Sequence, residues 1–214
     1  MLRRLFLSRV ASFPALVGVP RQSSSPATNG APAGGRFQAA RHDKDDWYDQ
    51  LPGRHRVVFD TWMAAEFADA IRFVGNYFRG SADGYSLTAK DVAVVVIARH
   101  RTAPFAYNDA MWAKYGKFFS ERMAFVDPKT KQAPTSNPYS EQVSSLIKQG
   151  VHFGICNLTT RSYSRTIADA TGVDAEAVYK ELTTSTFGNS HFVAAGVLGV
   201  TRAQEHGYVL VSVG

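Results

Sequence analysis

The chain has 214 residues, of which 45% are hydrophobic, and a formal net charge of +6. This length fits one domain of ordinary size together with a leader. Residues 1–42 contain six of the 24 basic residues and no acidic residue, so residues 43–214 carry equal numbers of acidic and basic side chains. The composition of the folded part therefore argues against a nucleic-acid-binding protein. The single cysteine excludes an internal disulfide, and no apolar run approaches the roughly 20 residues of a membrane span.

Residues 1–21 have the features of a targeting segment. Arginines at positions 3 and 4 precede Phe6 and Leu7, a pattern that resembles a twin-arginine export signal. The segment is also rich in Arg and Ser and free of acidic residues, which suits a mitochondrial transit peptide, and a disordered basic tail is the third interpretation. We expect a periplasmic or otherwise exported protein, with a mitochondrial or cytoplasmic location as the alternative.

Residues 22–54 are predicted to be a flexible linker followed by an arm. Residues 22–42 are rich in Ser, Pro, Ala and Gly, a composition that buries too little surface to offset the entropy of the chain. Residues 43–52 contain Trp47, Tyr48 and Leu51. We expect these side chains to pack on the domain as an arm or a short helix.

Residues 55–214 alternate between strand and helix patterns, which predicts one α/β domain. Residues 55–61 form the first predicted strand, and residues 92–98 are seven apolar residues without alternation, typical of a strand covered on both faces. Further strands are predicted at 151–155, 191–194 and 208–213, and helices at 63–78, 140–149, 159–171, 174–182 and 195–206. Residues 104–119 are predicted to begin as a loop and become helical, with Ala110 and Ala113 among the possible inward positions. Residues 80–84 are predicted to be a turn and residues 125–139 a long loop. This alternation implies an open, mostly parallel sheet of about five strands with helices on both faces.

Polar residues follow the predicted strands at the edge where their carboxyl ends meet. Ligand sites of open α/β sheets prefer this edge, although loops are generally polar in any case. We expect Lys114, on the helix that follows, to stabilise an anion there, the alternative being an ordinary helix. The ligand-binding candidates are Asp60, Asn108, Asp109, Lys114 and Asn157.

Cys156 falls between a predicted strand and a predicted helix, with Thr159 or Thr160 expected to cap that helix. Three interpretations stay open: a small buried hydrophobic residue, a reactive thiolate stabilised by the helix N-terminus and His100, or a metal ligand. The histidines show no tight ligand spacing, so no metal site is predicted. His152 should face away from Val151 and Phe153 and be covered by a helix or a subunit.

The segment Gly150-Val151, four residues and Cys156, followed by a helix, resembles the DsrE/DsrF-like superfamily. Further stretches that resemble an exported bacterial branch of it are residues 37–47, 108–115 and 202–208. The resemblance implies a three-layer fold, assembly into a homo-oligomer, and a sulfur donor or acceptor protein as partner. It also implies that Cys156 is a sulfur-accepting residue.

Two functions from different classes follow. In the first, the protein is an exported DsrE-like oligomer, a sulfur carrier or sulfurtransferase-like protein, in which Cys156 accepts sulfur as a persulfide or is otherwise redox-active. His100 would then assist the thiolate. In the second, the protein is a non-catalytic small-molecule-binding or structural oligomer with a buried, inert Cys156. Neither function requires a cofactor.

Overall fold

The computed structural model describes residues 38–213, which form an open sheet of five parallel strands in the order β4-β3-β2-β1-β5. This confirms the predicted fold class, and every strand pair is parallel. The predicted targeting segment and most of the predicted flexible linker lie outside the described residues. The strands are β1 (His55–Thr61), β2 (Val92–Ala98), β3 (His152–Cys156), β4 (Ser190–Val193) and β5 (Val209–Val213). The helices are α1 (Trp47–Gln50), α2 (Phe67–Tyr85), α3 (Asp109–Met123), α4 (Ser140–Lys148), α5 (Asn157–Thr171), α6 (Ala175–Thr184) and α7 (Gly196–Glu205).

Strand β2 lies at the centre of the sheet and is buried along its whole length. Because side chains alternate along a strand, Val94 and Val96 point to one face, and Val95 and Ile97 to the other. The first face is covered by helices α2 to α6, and the second by α1 and α7. The result is three layers with a hydrophobic core on each side of the sheet.

The predicted turn at residues 80–84 is wrong, because α2 continues through Gly80 and Gly84 to Tyr85. Glycine inside a helix costs only about 1 kcal/mol relative to alanine, and the buried side of α2 offsets this cost. The residue that caps the end of the helix is instead Ser86, which adopts a left-handed conformation with φ of 54°.

Helix α3 begins at Asp109, after a separate 3-10 turn at Ala103–Ala106, in agreement with a segment that becomes helical only after its start. Ala110 and Ala113 are exposed, so the prediction that they face inward is wrong. The predicted start of α5 is also wrong. Helix α5 begins directly after Cys156, without a cap from either threonine. The Thr160 hydroxyl instead donates to the Cys156 carbonyl oxygen, four residues earlier, at 3.1 Å. Thr160 therefore lies inside the first turn of α5 and not before it.

Residues that we assigned to the linker and arm belong to the compact unit, which begins at Ala39. Tyr48 is fully buried, and its hydroxyl donates to the Gly199 carbonyl at 2.9 Å. Arg202 on α7 donates to the Asp45 carboxylate at 2.7 Å and to the Ala40 carbonyl at 2.8 Å. The arm is therefore fastened to α7 by both hydrophobic packing and charged hydrogen bonds. No helix within residues 38–213 is long and apolar enough to cross a membrane.

Candidate functional site

Cys156 is the last residue of β3 and lies where two helices begin. Phe153 and Ile155 point into the core beneath α2 to α6, so the Cys156 side chain points to the opposite side, toward α7. Its sulfur accepts a hydrogen bond of 3.1 Å from the backbone N–H of Gly196, the first residue of α7. Helix α5 starts at the next residue after the cysteine. The sulfur therefore faces the first amide and the positive end of the α7 dipole.

An ion pair lies beside the thiol. Arg99, directly after β2, donates to both oxygens of Asp60 at 2.7 and 2.8 Å. These hydrogen bonds raise the pKa of the Arg99 guanidinium above its ordinary value, burial opposes them, and the charges of Asp60 and Cys156 add to the increase. Arg99 and Cys156 lie on the same side of the sheet, because both border Gly196 at the start of α7.

Gly196 brings this cation and the thiol together. A Cβ atom at position 196 would lie 2.3 Å from the Cβ of Arg99, so only glycine lets α7 approach this closely. Our sequence analysis did not assign Gly196 to the site. The small residues between β4 and α7 were the available signal, because small residues allow a close backbone approach.

The loop after β2 is fixed by two buried threonines. The hydroxyls of Thr61 and Thr102 lie 2.9 Å apart, and Thr102 also contacts the Thr61 carbonyl oxygen at 3.0 Å. This arrangement places His100 in a left-handed conformation with φ of 53°, and its backbone N–H donates to the Thr159 hydroxyl at 3.2 Å. Burial lowers the pKa of His100 below its ordinary value, and the nearby Arg101, Arg122 and Arg99 lower it further.

Four of the predicted site residues therefore lie at the carboxyl ends of β1, β2 and β3: Asp60, His100, Cys156 and Asn157. The side-chain oxygen of Asn157 accepts a hydrogen bond of 2.6 Å from the Tyr179 hydroxyl, which joins the start of α5 to α6. Within residues 38–213, no hydrogen bond links the His100 ring to Cys156. The geometry thus pairs the thiol with Gly196 and Arg99.

The other three predicted ligand-binding residues are engaged in contacts around α3. Asn108 caps the helix by accepting from the Met111 N–H at 3.3 Å. Asp109 accepts from the Asn137 N–H at 2.8 Å, which anchors the long loop before α4. Lys114 forms an ion pair with Glu181 on α6 at 2.6 Å. These contacts hold helices and loops together, and none of them includes Cys156, Gly196 or Arg99.

A pair of histidines lies at the opposite, amino end of the strands. His152 Nδ1 and His191 Nε2 are 2.9 Å apart, and the Trp47 ring stacks on His191 with ring centres 4.0 Å apart. The Trp47 ring of α1 is also nearly parallel to that of His152, with ring centres 6.4 Å apart, so a helix covers the half-buried His152 in part. Burial lowers the pKa of both rings, that of His191 to about 4. Among residues 38–213, no three His, Cys, Asp or Glu side chains form a metal-binding group.

A cleft of about 680 Å³ separates the arm from α7 and β4. Its apolar side includes Phe192, Val193 and Leu198, and its polar side includes Arg41 and Lys44. Val193 is the β4 residue paired with Cys156 in the sheet. The cleft therefore lies next to the strand that borders the thiol.

Comparison with known proteins identifies no family. No family model and no curated protein matches this chain. Among solved structures, the chain is similar to a protein of unknown function, MTH1491 from Methanobacterium thermoautotrophicum, with 21% sequence identity and a TM-score of 0.44. The match covers 74% of this chain and 98% of that chain. Likeness at this level carries no functional argument, so the resemblance to DsrE/DsrF-like proteins stays a sequence-based prediction.

Proposed function

We propose that this protein is an exported, oligomeric DsrE-like protein in which Cys156 accepts sulfane sulfur as a persulfide. The observation that carries the proposal is the 3.1 Å hydrogen bond from the Gly196 N–H to the Cys156 sulfur. A thiolate, not a thiol, attacks sulfur, and a thiolate is favoured by helix N-termini and neighbouring cations. The amide of Gly196 and the guanidinium of Arg99 supply both.

The transfer step needs no external oxidant. With thiosulfate as the donor, the Cys156 thiolate attacks the sulfane sulfur and forms a new S–S bond. The bond between the sulfane sulfur and the sulfonate group breaks, and sulfite leaves with its electron pair. The thiol proton passes to water. The same amide and guanidinium then stabilise the persulfide anion. Because the chain contains a single cysteine, a relay to a second cysteine requires another chain.

The second candidate is a small-molecule-binding protein in which Cys156 is inert core packing. It is favoured by the cleft of about 680 Å³, which combines an apolar side with charged groups of both signs, as ligand pockets lined by apolar residues and a few polar groups do. The 6% exposure of Cys156 also agrees with a packing role. In this case the cleft binds the ligand, and the thiol contributes only volume.

Thiol labelling of the full-length native protein tests the proposal and separates the two candidates. Iodoacetamide is added at neutral pH to native protein, to denatured protein and to Cys156→Ser as the blank. A reactive thiolate predicts that the native protein labels as rapidly as the denatured chain or faster, in spite of its low exposure. Labelling that occurs only after denaturation would contradict the proposal and favour the binding protein.

A further inference from the structure

A polar stripe runs along α5 on the side that faces α3 and the loop after β2. Thr159, Ser162, Tyr163 and Thr166 are spaced at i, i+3, i+4 and i+7, so they share one face of the helix. Arg122 from α3 lies along this stripe, donating to the Ser162 hydroxyl at 2.8 Å with its guanidinium carbon 4.3 Å above the Tyr163 ring. The backbone N–H of His100 contacts Thr159, one turn nearer the start of the helix.

Two arginines bring positive charge to this stripe. Arg101 and Arg122 are both only partly exposed, and within the part of the chain that the structure describes, neither forms a salt bridge. Both lie close enough to His100 to lower its pKa. Arg99 next to them is by contrast neutralised by Asp60. Partly buried guanidinium groups are costly when they have no counter-charge, and a bound anion would supply one.

The Tyr163 hydroxyl is a second, independent sign of a ligand. Tyr163 is fully buried, and its hydroxyl has no hydrogen-bond partner among residues 38–213. The guanidinium carbon of Arg122 lies 4.3 Å from the centre of the Tyr163 ring. Burial raises the pKa of the hydroxyl, whereas the charges of Arg122 and Arg101 act to lower it. Buried polar groups are rarely left without a partner. An unused hydroxyl donor beneath Arg122, which has no acidic partner among the described residues, therefore indicates an acceptor that this part of the chain does not provide.

The backbone of the loop after β2 also contributes to this group of cationic and polar residues, because His100 adopts a left-handed conformation there. Residues other than glycine seldom adopt positive φ, and such strain concentrates at binding sites. The buried Thr61 and Thr102 hydroxyls hold the loop in this shape. His100 is thereby held against the first turn of α5, where helix amides and the helix dipole also favour an anion.

We propose that His100, Arg101, Arg122 and the first turns of α5 form a binding site for a small tetrahedral oxyanion. The two guanidinium groups provide the charge and paired donors that suit phosphate and sulfate groups. The Thr159 and Tyr163 hydroxyls and the His100 ring add uncharged donors. The site does not depend on the reactivity of Cys156.

Isothermal titration calorimetry of the full-length protein, in buffer free of competing oxyanions, tests the site with phosphate, sulfate and thiosulfate. We expect Arg101→Gln and Arg122→Gln each to weaken binding by about tenfold or more, since charged hydrogen bonds are the stronger kind. Arg165→Gln removes the same charge from an exposed position of α5 outside the stripe, and we expect less than about a twofold effect there. The thiosulfate titration is repeated with Cys156→Ser, so that heat from sulfur transfer to the thiol is not counted as binding. Tighter binding of thiosulfate than of sulfate would identify a sulfur donor as the ligand, and equal binding a general oxyanion site.

The pKa of His100, measured by nuclear magnetic resonance, distinguishes anion binding from a purely structural role of the two arginines. A bound anion should raise the pKa of His100, because it offsets the effect of the neighbouring arginines. We expect this increase on adding phosphate to the wild type and to Arg165→Gln, but not to Arg101→Gln. The Arg101 side chain makes no hydrogen bond within residues 38–213, so its variant is expected to fold even if Arg122→Gln does not. No binding of any of the three anions at millimolar concentration, or equal losses in Arg101→Gln and Arg165→Gln, would overturn the proposal.

Discussion

Replacing Gly196 by alanine tests the close approach that builds the thiol site. The new Cβ would lie 2.3 Å from the Cβ and 2.7 Å from the Cδ of Arg99. Carbon atoms in favourable contact lie about 3.5–4 Å apart, so the start of α7 and Arg99 must separate by about 1 Å or more. Overpacking of this kind costs about 1–3 kcal/mol. For a protein of this size, the cost corresponds to a Tm lower by roughly 2–12 °C.

Gly75→Ala is the matched control for this substitution. Gly75 lies inside α2, and a Cβ atom there would meet nothing within 4 Å. Alanine in a helix interior is favoured over glycine by about 0.5–1 kcal/mol, so this variant should be slightly more stable than the wild type. Opposite effects of the two changes would show that contact with Arg99, not helix propensity, decides the outcome at position 196.

Chemical denaturation of wild type, Gly196→Ala and Gly75→Ala measures these effects, with native thiol labelling as a second readout. Displacement of the α7 amide should also change the rate at which Cys156 of Gly196→Ala reacts, because its sulfur loses a hydrogen bond. A Gly196→Ala protein as stable as the wild type would refute the geometry on which the site is built.

Two further substitutions test the charges of the fold. Asp60→Asn leaves the Arg99 guanidinium without its carboxylate. Loss of one partner of a fully buried ion pair costs about 3–5 kcal/mol of stability. Because the Asp60 and Arg99 side chains are 12% and 23% exposed, we expect the free energy of unfolding to fall by about 2 kcal/mol. Adding Arg99→Gln should recover part of this loss in denaturant unfolding, and an Asp60→Asn protein of unchanged stability would contradict the ion pair. Burial and His152 lower the pKa of His191 from 6.5 to about 4, so the folded state favours the neutral ring. This preference stabilises the folded protein fully above about pH 6.5. The stabilisation is lost as the pH falls toward 4, because the unfolded chain binds the proton first. Urea titrations between pH 4 and 7 should show a shallower loss in His191→Gln than in the wild type, and equal slopes would contradict this assignment.

The parts of the fold that could be predicted are those in which the residues of one strand or helix are sufficient to show its type and its burial. The seven consecutive apolar residues of β2 require burial on both faces of the sheet, which places this strand at its centre. The predicted bounds of β1 and β2 agree with the structure. The end of α2 could not be predicted in this way. Gly80 and Gly84 suggest a turn locally, but burial of the other side of the helix outweighs their weak preference.

The site was harder to predict because its residues are far apart in the chain. The position of Cys156 at a strand end follows from the pattern around it. Its contact with Gly196 spans 40 residues and depends on how α7 crosses the sheet. Lys114 and Asn108 follow the same sheet edge in the sequence, yet their contacts stabilise α3 and α6. A strand end identifies an edge, but it does not identify the face on which each following side chain lies.

Intact-mass spectrometry tests the central claim about Cys156 most directly. The full-length protein is exposed to thiosulfate or a polysulfide beside Cys156→Ser, before and after reduction. We expect the wild type to gain the mass of one sulfur atom, the gain to be reversed by reductant, and the variant to gain nothing. An unchanged mass in the wild type, together with a thiol that labels only after denaturation, would contradict sulfur transfer and leave Cys156 as part of the core.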